Sequence, residues 1–240
     1  MAFGSWRGVL GLVKPTMRPG SLEEEIRLLP EGVGIIPLQQ NVTRGERDEF
    51  DAAIRAYEAA ADQLAAQEVA LIHLAGTPPF MLLGVDGERE LLDRWQARLN
   101  IPVFAAPMSD AAALRALGVT KLIGVTYSEL QNELSRNYMT EAGFDVLAME
   151  PMVVPFSEAG QISSQQVYSF VRDTFLAHPG ADGIYIQGNA WRVLDIIDMV
   201  ERDFGVPVAH ASCALCWEVQ KQLHIRAPRE GFGRLLRELP

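Results

Sequence analysis

Short, often β-branched apolar runs alternate along this chain with longer stretches whose apolar residues recur at helical spacing. The runs predict strands at 8–13, 33–38, 69–75 and 101–105 in the first half, and at 121–126, 144–149, 183–187 and 206–210 in the second. The stretches between them predict helices at 46–67, 88–99, 109–117, 128–142, 163–177, 190–203 and 213–223. Ser109-Asp110 and Ser163-Ser164 stand where N-caps would open two of these helices. Four strands alternating with helices, twice over, predict an α/β fold of two pseudo-symmetric lobes. Each lobe would be a four-stranded parallel sheet flanked by helices, with the site in the cleft between them.

The halves repeat in detail. Gly76 follows one strand and Gly188 another, 112 residues later, and the same offset relates Val13-Lys14-Pro15 to Val125-Thr126-Tyr127. Pro102 and Pro207, near the start of each fourth strand, are offset by 105, so the loops differ between lobes. The boundary falls near Gly118, giving a first lobe 1–117 and a second lobe 118–225 with no low-complexity linker. The charged, Gly-containing tail 226–240 could fold back across the first lobe.

In open parallel sheets, ligands bind beyond the carboxyl ends of the strands. This brings Lys14-Pro15-Thr16, Gly76-Thr77-Pro78, Tyr127-Ser128 and Gly188-Asn189 towards one cleft. Backbone N–H groups at such turns and at helix starts bind anions, and Thr77, Tyr127 and Asn189 would add side-chain donors. The combination suits a carboxylate or an enolate.

Composition narrows the partners. A formal charge of −10 argues against nucleic acid or an anionic membrane surface but not against a small anionic substrate. No apolar run reaches the roughly 20 residues that span a bilayer. The N-terminus, ending at Lys14-Pro15, reads as the first strand and not as a signal peptide. Cys213 and Cys216 cannot form a disulfide framework, which makes a reduced, cytoplasmic location the default. Their C-A-L-C spacing lacks two further ligands for zinc, so no metal or cofactor is expected. A homo-oligomer is compatible with the general habit of soluble enzymes, though no stretch of sequence specifies one.

Individual residues carry two readings each. Lys14 is either a carboxylate clamp, or acid/base, or a solvated lysine at a strand end. His73, inside an apolar strand, reads as a hydrogen-bonded structural histidine. His178 and His224 read as surface residues. His210 ends the last strand and would face the cleft rim as an acid. Cys213 and Cys216 open a helix whose dipole could activate a thiol, or they are an inert buried pair. Phe50, Phe80, Trp191 and Trp217 could line a pocket for an aryl group or simply fill the core.

The chain resembles the aspartate/glutamate racemase superfamily, in the branch of arylmalonate decarboxylase and maleate cis-trans isomerase. The resemblance rests on VLGLVKP at the start, VTRGERDEFDAAI at 42–54, Gly76-Thr77, ALRALGVTKLIGVTY at 113–127 and ADGIYIQGNAWRVLDIIDMVERDFGVPV at 181–208. It implies a cofactor-independent lyase of decarboxylase type that stabilises the enediolate of a small, aryl-substituted or related, dicarboxylic acid. The hole for that anion would be Thr77, Tyr127 and the Gly188-Asn189 backbone, with Lys14, Pro15, Gly76, Pro78 and Ser128 around the substrate. The family's catalytic cysteines would fall at Gly76 and Gly188, so both thiols are absent, and His210 is the replacement acid that remains. Pro78 stands where the decarboxylases offer a further donor. A cysteine-independent isomerase or hydrolase, or a non-catalytic carboxylate binder, are the alternatives.

Overall fold

In a computed structural model, residues 4–18 and 20–240 are described; residues 1–3, counted above in the first lobe and its N-terminal segment, lie outside them, as does Pro19. The first lobe contains β1 (Gly8–Lys14), α1 (Ser21–Leu28), β2 (Val33–Gln39), α2 (Arg47–Ala65), β3 (Leu71–Leu74), α3 (Pro78–Met81), α4 (Gly84–Leu99), β4 (Val103–Ala105) and α5 (Ala106–Ala116). The second contains β5 (Lys121–Thr126), α6 (Glu129–Glu141), β6 (Asp145–Pro151), a 3-10 helix (Phe156–Gln161), α7 (Ser164–Ala177), β7 (Gly183–Ile186), α8 (Ile197–Phe204), β8 (Val208–His210), α9 (Ala211–Gln222) and α10 (Arg234–Glu238).

Both sheets are parallel and share one topology, β2-β1-β3-β4 and β6-β5-β7-β8. Their registers repeat too: Val13 pairs with Leu74, and Val125 with Ile186, each partner displaced by the same 112 residues. The edge strands begin alike. The carbonyls of Pro102 and Pro207 accept from Ile72 N–H (2.9 Å) and Ile184 N–H (3.0 Å). Proline suits an edge position because it has no N–H to leave unpaired.

Four apolar clusters cover the sheets. Ile72 and Leu74 face α2 and α4, whereas Leu10, Leu12 and Phe104 face α9 on the other side of the first sheet. In the second sheet Ile123, Val125 and Ile186 pack with Val167, Val171 and Trp191, and Leu122 and Tyr185 with Leu134 and Met139. Side chains of this size each stabilise by about 1.5–3 kcal/mol when fully buried. The helices that follow the fourth strands, α5 and α9, pack against each other, and α9 also meets α1 and β3 of the first lobe. The two lobes therefore meet along a helical seam beside the strand ends.

Some boundaries differ from the sequence pattern for local reasons. The helix predicted from 109 starts at Ala106, because Pro107 is tolerated in a first turn. Ser109 and Asp110 are therefore inside it: Ser109 Oγ donates to the Ala105 carbonyl at 3.1 Å, and Asp110 is buried. Ser163 does cap α7, in a reciprocal box with Gln166. The helix predicted from 190 starts only at Ile197; Trp191 is buried and its indole N–H turns back to the Gly188 carbonyl at 3.2 Å. In the tail, Phe232, Leu235 and Leu236 enter the second-lobe core, while Arg229 Nη2 donates to the Arg27 carbonyl of the first lobe at 2.6 Å.

Candidate active site

A cavity of about 290 Å³ opens where the two sheets' carboxyl ends face each other. Pro15, Gly76, Thr77, Pro78, Tyr127, Gly188 and Asn189, all singled out in the sequence, line it. Each lobe contributes a turn built on a glycine with positive φ, +92° at Gly76 and +79° at Gly188. Such a backbone favours glycine, and the surroundings add a steric reason. A Cβ at Gly76 would lie 2.8 Å from Pro15 Cγ and 2.9 Å from the Tyr57 hydroxyl; one at Gly188 would lie 2.8 Å from Tyr127 Cε1.

These turns leave donors free. Among the described residues, the N–H groups of Gly76, Thr77, Gly188 and Asn189 donate to no protein acceptor. The Thr77 hydroxyl accepts from Gln187 Nε2. Tyr127 is buried, its ring edge-on to Trp191 at 5.5 Å, and burial raises its hydroxyl pKa while Gln131 and the Arg18 charge oppose the rise. It stays a protonated donor at neutral pH. Pro78 has no N–H and contributes only surface.

Three expected site residues are elsewhere. Lys14 is buried and does not line the cavity; its Nζ forms a two-pronged ion pair with Glu25, at 2.8 and 3.0 Å. Glu25 also accepts from Asn189 Nδ2 at 2.9 Å. The lysine is thus a buried partner holding α1 and the second-lobe turn, not a cation awaiting a ligand. Ser128 is the N-cap of α6, its Oγ accepting from Gln131 N–H at 3.3 Å, and it too lies outside the lining. His210 is fully buried behind the turn, with Nε2 3.0 Å from the Gly188 carbonyl. Burial lowers its pKa to about 4, so it is neutral at pH 7 and supports the turn from behind.

The cation at the cavity is one that the sequence pattern did not single out. Arg18 lines the space, with its guanidinium 4.0 Å above the Phe156 ring. Among the described residues it pairs with no carboxylate, and its Nη1 is buried without a partner. No Asp, Glu or Cys side chain stands among the described residues of the lining. The described wall thus carries a guanidinium, hydroxyl side chains at Thr16, Ser21, Thr77, Tyr127 and Ser157, and two turns with unpaired N–H groups, with no opposing charge among them.

His73 also lines the cavity, and not as the hydrogen-bonded histidine expected: neither ring nitrogen has a partner among the described residues. It packs edge-on to Phe104 at 4.9 Å, and burial, then the Lys14 charge, lower its pKa to about 3. The thiols are remote and inert. Burial raises Cys213 well above the thiol range and Cys216 to about 12, and their Sγ atoms donate to the Phe232 and Leu28 carbonyls. Of the four aromatic candidates Phe50 lines the cavity; Phe80, Trp191 and Trp217 do not. No helix among the described residues is long and apolar enough to cross a membrane.

Known proteins share this fold. The family model described as arylmalonate decarboxylase matches residues 11–236. The arylmalonate decarboxylase of Bordetella bronchiseptica is 27% identical over 192 residues, covering 79% of this chain and 80% of that protein. The maleate isomerase Iso from Pseudomonas putida S16 superposes with a TM-score of 0.90 at 18% identity, over 97% of this chain and 99% of its own. A liganded mutant of arylmalonate decarboxylase gives 0.87 at 22%, over 96% and 98%. At these identities the superpositions speak for the fold. The match of the family model along almost the whole chain says more: this chain belongs to the arylmalonate decarboxylase family.

Proposed function

We propose that the chain is a cofactor-independent carbon–carbon lyase that decarboxylates a small substituted malonate. The observation that carries this reading is the donor-rich, thiol-free cavity, with Arg18 unpaired on its wall. Arg18 attracts the dianion and holds the carboxylate that is retained. Thr77, Tyr127 and the N–H groups of the two turns surround its oxygens, where charge accumulates as the bond to the second carboxylate breaks. The lining also holds Val42, Phe50 and Leu215, and the second carboxylate lies against such apolar groups. Poor solvation there favours its departure as neutral CO2.

The bonding electrons move into the retained carboxylate as an enediolate, and the α-carbon then takes a proton from water. The products are a monocarboxylate, CO2 and hydroxide, the last two combining as bicarbonate. With both turns built on glycine, racemisation between two thiols has no residues to carry it. His210 has no part in the proton transfer, being neutral and turned to the Gly188 carbonyl.

The test is incubation of the purified protein with a panel of mono- and disubstituted malonates while CO2 release is followed. Turnover of at least one aryl- or alkyl-substituted malonate is expected. Tight binding by calorimetry with no CO2 from any of them would instead make the chain a non-catalytic carboxylate binder.

A further inference from the structure

The Thr77 hydroxyl on the cavity wall touches a buried glutamine of the other lobe. Gln187 Nε2 donates to Thr77 Oγ1. Gln187 lines the cavity and is 1% exposed. It also keeps its amide oxygen, Oε1, without a partner among the described residues. An unpaired buried amide oxygen is unfavourable. A hydrocarbon side chain of the same shape would avoid that cost, so the amide needs a compensating task.

A hydroxyl has one proton to give and two lone pairs to receive with. Once a lone pair takes an amide N–H, the hydroxyl proton is left for some other acceptor. Among the described residues Thr77 Oγ1 donates to no protein atom, and the open side of the group is the cavity. We propose that Gln187 is a positioning residue that aims the Thr77 hydroxyl proton at the anion in the cavity. The inference rests on the enediolate reading above and deepens it.

The arrangement crosses the seam. Thr77 follows β3 in the first lobe, whereas Gln187 follows β7 in the second, so the first lobe's donor is aimed by its partner lobe. A preorganised donor of this kind needs no reorientation as charge develops.

A double-mutant cycle read by calorimetry tests the proposal. The probes are the nitronate of phenylnitromethane, planar at carbon like an enediolate, and phenylacetate, tetrahedral there. The unaltered chain should bind the nitronate more tightly. Gln187→Leu should weaken nitronate binding about tenfold, and the same substitution should have no effect in a Thr77→Val background. Gln187→Met serves if the leucine variant does not fold. Losses that add independently, or no loss at all, would overturn the role of Gln187. A nitronate bound no better than phenylacetate by the unaltered chain would instead remove the enediolate reading, and this inference with it.

Discussion

At Gly76-Thr77 and at Gly188-Asn189 the chain leaves equivalent strands through glycines of similar positive φ, yet the next side chain has a different destination. Thr77 keeps its hydroxyl at the cavity, supported by Gln187 from the other lobe. Asn189 commits its amide N–H to Glu25, so that turn offers mainly backbone. One architecture, repeated, thus yields a side-chain donor on one wall and a pinned backbone on the other. The pairing also shows why each lobe depends on its neighbour: Gln187 serves Thr77, and Glu25 of the first lobe holds Asn189.

The largest test of that contrast is to remove each side chain. Thr77→Val should lower kcat about a hundredfold in CO2 release, the scale of one lost oxyanion donor. Asn189→Ala should change kcat far less and appear chiefly as a loss of about 1 kcal/mol in denaturant unfolding. Comparable effects on kcat would erase the distinction between the turns.

Two cations four residues apart sharpen it further. Arg18→Leu should raise KM about tenfold with stability near that of the unaltered chain, as expected for one charge-assisted contact to a carboxylate. Lys14→Met should do the reverse. Leaving Glu25 buried without its ammonium costs about 3–5 kcal/mol, while KM of the remaining folded protein changes little.

The smallest effect concerns the seam. Asp110 accepts from the Tyr185 hydroxyl at 2.8 Å, and Glu88 from the Tyr138 hydroxyl. Burial pushes these carboxyls up to about 8 and about 7. The folded chain then holds protons that the unfolded chain releases. Their stabilising contribution is complete below the ordinary carboxylate pKa of about 4 and is lost as pH rises through about 7 to 8. Tm should therefore decline between about pH 5 and pH 8.5, and Asp110→Asn should flatten part of that decline.

The repeat of β-branched runs was enough to read all eight strands and both sheets, because parallel buried strands have few other ways to appear. The helix α1 was not legible: SLEEEIRL places Glu25 on its buried face, and a carboxylate there breaks the apolar spacing. Missing α1 also meant missing the partner of Lys14, which made that lysine look available. Arg18 gave no signal because its loop has no periodicity, and only the fold turns it to the Phe156 ring and the cavity. His210 was correctly seen to end a cleft strand, but strand position does not say which way a ring faces. The glycine turns, by contrast, were visible from the offset of 112 alone.

In the proposed mechanism, hydroxyl and backbone donors stabilise an enediolate in a cavity whose described lining holds no thiol. This mechanism is tested most directly by the rate of CO2 release from the best malonate of the panel, compared between the unaltered chain and the Thr77→Val, Tyr127→Phe double variant under saturating substrate. A loss of two orders of magnitude or more is expected, roughly what removing donors from an oxyanion site entails, with substrate still bound. A double variant that releases CO2 at the unaltered rate would contradict the mechanism.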